Sequence, residues 1–124
     1  MKAIYHKDVP RQPFPGGATY QTLVGDERGS TPVRLGIQVS DPGYETPYHS
    51  HPYMEILTIV AGTGEAWGEG FEGLLKLEPG MTVVLEAHKR HAFRVTGTTQ
   101  LVTHGVHTSP ERIVEVHQPA PGRG

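Results

Sequence analysis

The stretch Gly43-Tyr44-Glu45-Thr46-Pro47-Tyr48-His49-Ser50-His51-Pro52-Tyr53-Met54-Glu55, closed further on by Gly62, decides the fold of this chain. His49 and His51 stand two positions apart. On an extended strand, such positions project from the same face. If that face is interior, both imidazoles converge on one point. Pro52 lacks an amide N–H, so a strand does not pass straight through it. A tight connection there lets Glu55 begin the next strand, beside the histidines. Two imidazoles and a carboxylate on neighbouring strands suit a borderline divalent metal and leave positions open. A solvated polar strand face would require neither Gly43 nor Gly62.

The surrounding sequence supports strands rather than helices. Sixteen glycines and eleven prolines interrupt 124 residues, and the apolar runs between them are short and β-branched. The candidate strands are Ala3–His6, Thr19–Val24, Val33–Ser40, Pro47–His51, Met54–Ala61, Glu65–Trp67, Gly73–Leu77, Thr82–Glu86, His91–Val95, Gln100–His107 and Arg112–His117. Short strands at this spacing predict a single all-β sandwich or barrel over residues 1–117. Ala61-Gly62-Thr63-Gly64 reads as a hairpin turn and Glu78-Pro79-Gly80 as a second turn. Arg11–Gly17, with two prolines, reads as a surface loop. The tail 118–124 is expected to be disordered.

Composition excludes several classes of function. There is no cysteine, which removes disulfides, thiolate nucleophiles and iron–sulfur chemistry. The formal charge is −2 and no basic stripe occurs, so nucleic acid is not an expected partner. No apolar stretch is long enough for a membrane helix, and residues 1–10 show no apolar run of the signal-peptide kind. The expected location is cytoplasmic.

Gly43, His49, His51, Glu55 and Gly62 resemble the first motif of the cupin superfamily at each of its fixed positions. The stretch from Gly73 through Pro79-Gly80 to His91 is similar to the second. Met81 and Val95 stand where that second motif often has an acidic residue and an asparagine, and neither is a ligand position. The resemblance runs from Gly43 to about Val95. It implies a single-domain cupin β-barrel, jelly-roll-like, built of two antiparallel sheets. It also implies that His49, His51, Glu55 and His91 hold one divalent transition metal: Fe(II), Mn(II), Ni(II), Co(II) or Zn(II). His91 enters the ligand set only through this resemblance.

Other residues are placed around that centre. Phe93 shares strand parity with His91 and is expected to point inward. Tyr53 and Trp67 would add aromatic lining suited to a planar or apolar small-molecule substrate. His104 and His107, three apart, face opposite sides of a strand, and His104 is assigned to the pocket. Catalytic roles are assigned to Glu55, as a carboxylate able to leave the metal and act as base, and to His88, as a pocket-rim acid or base. Arg34 would meet a substrate carboxylate if it faced inward. The expected activity is that of a metal-dependent oxidoreductase of dioxygenase type on an enol, diketone or aromatic. The alternatives are a metal-dependent isomerase, epimerase or lyase of sugars or hydroxy acids, and a non-catalytic ligand-binding module. An isolated barrel would expose sheet edges and apolar surface, so a homodimer is expected.

Overall fold

The computed structural model describes residues 1–26 and 28–122. Its strands are β1 (Gln12–Phe14), β2 (Ala18–Val24), β3 (Arg34–Ser40), β4 (His49–Ser50), β5 (Glu55–Ala61), β6 (Thr63–Gly68), β7 (Phe71–Leu77), β8 (Thr82–Leu85), β9 (His91–Thr96), β10 (Leu101–His107) and β11 (Glu115–Val116). They form two antiparallel sheets, one in the order β1-β2-β3-β10-β5-β8 and the other β11-β4-β9-β6-β7. This is the β-barrel of two antiparallel sheets that the cupin resemblance implies. No helix among the described residues is long and apolar enough to cross a membrane.

The alternation along each strand fixes what the barrel encloses. On β5, Glu55, Leu57 and Ile59 are buried while Val60 is exposed. On β9, His91 and Val95 are buried and share a face with Phe93. On β10, Leu101 and Thr103 are buried, and His107 continues that face. The interior is therefore divided lengthwise. Ile59, Leu77, Val95 and Leu101 pack into an apolar core at one end, each contributing roughly 1.5–3 kcal/mol through burial. Glu55, His91 and His107 occupy the same inward rows at the other end. One pattern thus builds both the core and the wall of the site.

Three local expectations are corrected. Gln12–Phe14 is a strand and not a loop: it forms the outer edge of the six-stranded sheet, paired with β2. Pro13 is tolerated there because an edge strand leaves one row of ladder positions unused. Ala3–His6 is not a strand. β1 already occupies the free edge of β2, and the chain instead makes a short 3-10 turn at His6–Asp8. The buried Gln21 amide pins this segment by donating to the carbonyls of His6 at 2.7 Å and Val9 at 3.0 Å. The Ala61–Gly64 turn does not close a hairpin, since β5 and β6 belong to different sheets and Gly62 forms the corner between them. Of the tail, residues 121–122 form a turn, and Arg123 and Gly124 lie outside the described residues.

Candidate metal centre

Register brings the donors together. His49 on β4 pairs directly with His91 on β9, which places the two imidazoles on one inward face. Their ring centroids are 4.4 Å apart. His51 follows on the same face of the segment, 5.2 Å from His49 between ring centroids. Glu55, at the start of β5, is directly opposite His107 on β10. Its carboxylate lies 3.2 Å from His51 Nε2, 3.9 Å from His91 Nε2 and 3.4 Å from His107 Nε2. Two overlapping triads have the spacing of metal-ligand sets: His49, His51 and His91, and His51, Glu55 and His107.

The backbone fixes how the imidazoles face. Nδ1 of His49 donates to the Pro47 carbonyl at 2.6 Å, that of His51 to the Ile113 carbonyl at 2.6 Å, and that of His91 to the Lys89 carbonyl at 3.0 Å. A carbonyl can only accept, so each Nδ1 carries the proton and each Nε2 is turned toward the centre. The Nε2 of His91 is buried and has no hydrogen-bond partner among the described residues. A buried polar atom left in this way is costly unless something fills the vertex it faces. Buried imidazole nitrogens around one carboxylate are the donor chemistry of a divalent transition-metal site, and the residues present fit such an ion.

Electrostatics agree with that assignment. Burial pushes the His49 imidazole down to about 4, with neighbouring His91 acting in the same direction. Burial also lowers His91. For Glu55, burial alone would favour the protonated acid, but the adjacent His107 and His51 outweigh it and hold the carboxylate well below its usual range. Keeping His49 and His91 neutral and Glu55 ionised favours the protonation states a metal requires.

These shifts carry a stability consequence. Between the ordinary imidazole value of 6.5 and about 4 for folded His49, the unfolded chain binds more protons. Stability therefore falls as pH drops through that window. Glu55 acts in the same direction, since its contribution is present above 4.5 and lost as pH falls below it. For the metal-free protein we expect the urea midpoint to decline from about pH 7 to about pH 4.5. His49 should account for about 1–3 kcal/mol of the decline, reduced by solvent screening at its more exposed edge. A His49→Gln variant with the same slope would show that His49 is not the group responsible.

The other assigned residues divide clearly. A cavity of about 270 Å³ opens beside the donors, and Phe93 lines it as expected, together with Phe14 and Tyr44. His104 does not reach it. It pairs with Thr58 and Ile37 across its neighbours, on the outward row, and His107 is the inward histidine. Trp67 has the opposite parity from Ala66, lies across from Ala92, and sits beneath the Arg94 guanidinium at 6.0 Å; it is not in the cavity wall. Tyr53 is also outside the wall. It is buried behind it, stacked on His51 at 5.1 Å, with its hydroxyl bonded to His107 Nδ1. His88 is exposed in a left-handed turn at φ 66°, and only its backbone N–H serves the site, donating to the His51 carbonyl at 2.7 Å. Its side chain is not placed to act on a substrate in the cavity. Sequence reasoning missed His107 as a site residue, although its parity with Leu101 and Thr103 would have supported it once the register was known. It also missed Arg112, which lines the cavity from an irregular segment without periodicity.

The chain belongs to the cupin family: the model of the cupin domain matches residues 36–107, more than half of its length. Among solved structures it is similar to the polyketide cyclase RemF from Streptomyces resistomycificus, with a TM-score of 0.80 at 19% identity, covering 98% of this chain and 88% of that one. It is also similar to a cupin-like protein from Thermotoga maritima, with a TM-score of 0.72 at 27% identity over 82% of this chain and 77% of that one. A predicted oxalate decarboxylase from the same organism aligns with a TM-score of 0.76 at 18% identity, over 86% of this chain and 97% of that one. No curated protein matches the sequence.

Proposed function

We propose that this cupin is a metal-dependent enzyme that moves protons on a small enolisable carbonyl compound, in the manner of a cyclase, isomerase or lyase. His49, His51, His91 and Glu55 would hold the ion. A bound divalent ion would supply Lewis acidity to a substrate oxygen. The observation that carries the reading is the pair formed by His107 and Tyr53. His107 Nε2 faces the centre, 3.4 Å from Glu55, while its Nδ1 is bonded to the Tyr53 hydroxyl. That hydroxyl is within reach of both the N–H of Ile113, at 3.2 Å, and its carbonyl, at 3.4 Å. A hydroxyl can donate or accept, so Tyr53 supports either tautomer of His107. His107 can therefore take up or release a proton at Nε2 beside a bound substrate, the task expected of His88 from sequence. Phe14, Tyr44, Leu57, Leu85 and Phe93 contribute apolar wall to the cavity, which would limit the water around a reactive enolate. The likeness in fold to a polyketide cyclase is consistent with such chemistry, by analogy alone.

The dioxygenase reading stays as the second one, because three imidazoles with one carboxylate also suit Fe(II). The two separate cleanly. Zinc-loaded protein without O₂ should exchange solvent deuterium into the α-position of a panel of 1,3-dicarbonyl compounds, read by NMR. His107→Gln should slow the exchange about 100-fold while elemental analysis shows unchanged zinc. Turnover confined to Fe(II) with O₂ uptake would sink the proton-transfer reading in favour of the oxidative one.

A further inference from the structure

Arg112 is the feature of the cavity wall that the metal and the proton-transfer pair leave unexplained. Its guanidinium carbon lies 4.8 Å from the centre of the Phe14 ring. Phe14 in turn stacks on Tyr20 at 4.4 Å with planes 23° apart. These contacts, on the edge strand β1 and its neighbour β2, hold the cation at the cavity. Arg112 is exposed, and a guanidinium packed over a ring keeps its N–H donors available to a planar anion. Among the described residues Arg112 makes no hydrogen bond and no ion pair. Other arginines do: Arg28 reaches Asp26 at 3.9 Å, Arg90 reaches Glu69 at 3.8 Å and Arg94 reaches Glu65 at 2.7 Å. Arg34 does face the interior, in a smaller space adjoining the centre, but it donates to the Thr22 hydroxyl at 3.2 Å and the Pro110 carbonyl at 3.3 Å.

Charge on the wall is one-sided. Glu55 is the one carboxylate among the lining residues, and it is already held by His51 and His107. A divalent ion together with Arg112 leaves positive charge in excess, in a cavity walled by Phe14, Tyr44 and Phe93. At about 270 Å³ the space is below the range that drug-sized ligands fill. A planar fork of donors matches a carboxylate in particular.

We infer that the substrate is a small planar carboxylate, whose charged group pairs with the free edge of Arg112 while its body lies against the aromatic wall. This rests on the cavity being the active site proposed above, and it names the class of compound that site selects. Benzoate and its neutral isostere benzamide are suitable probes, titrated calorimetrically into zinc-loaded and into metal-free protein. Zinc-loaded protein should prefer benzoate. Arg112→Met keeps an apolar side chain over Phe14 and removes the charge. It should weaken benzoate about tenfold, leave benzamide unchanged and leave zinc content at the wild-type value. Arg112→Lys should fall between. The benzoate preference should also shrink as ionic strength rises. Metal-free protein should show the same loss on Arg112→Met from a weaker starting affinity. A chain that takes up no zinc thus fails the metal reading while still testing Arg112. Benzoate binding unaltered by Arg112→Met, equal affinity for both probes, or binding of neither would overturn the assignment.

Discussion

Replacing His51 by alanine is expected to abolish stoichiometric metal uptake, with affinity falling at least about 100-fold. His51 belongs to both triads, the only residue that does. Its ring is 4% exposed, so solvent does not readily supply a substitute donor. The loss extends beyond one ligand. The Ile113 carbonyl would lose its partner at 2.6 Å and the Glu55 carboxylate its partner at 3.2 Å, while the Tyr53 ring would lose the surface on which it stacks. Elemental analysis after exhaustive dialysis reads the outcome. His88→Ala is the matched control, because that side chain is exposed and only its backbone serves the site. One equivalent of metal retained by His51→Ala would refute the centre as described.

The second large effect is expected at Gly62→Ala. Gly62 adopts φ 81° at the corner between the sheets, a conformation that favours glycine. A Cβ there would fall 2.2 Å from the Gln100 carbonyl oxygen and 2.8 Å from Leu101 Cα. Both obstacles are backbone, so neither can swing aside. Leu101 is fully buried, and pushing it away would open the core. We expect a loss of the order of 3 kcal/mol or more, read from the urea midpoint or as failure to fold. Gly70→Ala supplies the comparison. Gly70 has φ 79°, and a methyl group added there would meet nothing within 4 Å, so it bears only the conformational cost of about 1 kcal/mol. Similar losses at both positions would mean that the corner yields more readily than the contact geometry implies.

Gly62 also shows why so much of the fold was legible. A glycine at a set distance after the histidines and the glutamate marks a tight turn, which is local, although the hairpin expected there is a corner between sheets. The same holds for His49 and His51, whose shared face follows from strand period alone. His91 could not be reached in that way, since nothing local ties it to His49; only the resemblance linked them, and the direct pairing of β4 with β9 now supplies the reason. His107 shows the limit of parity. Period two says that His104 and His107 oppose each other, but not which faces inward. The answer lies in the pairing of His107 with Glu55, a contact between distant parts of the chain. Arg112 was less accessible still, because it sits outside any strand, where no period operates.

The segment after β10 contributes more to the centre than its irregular course suggests. The Ile113 carbonyl orients His51 across 62 residues, and Tyr53 and His107 meet across 54. During synthesis, His49, His51, Glu55 and His91 all emerge well before the residue that sets the ring of His51. Early donors without that carbonyl can rotate, and such a chain would offer ions a loose and unselective site. Selectivity for an ion would therefore wait until the segment around Ile113 folds back against β4. Closing contacts of such long sequence separation is slow and entropically unfavourable. An ion that binds only the closed arrangement would act as a latch on that step, coupling the folding of this segment to the supply of metal.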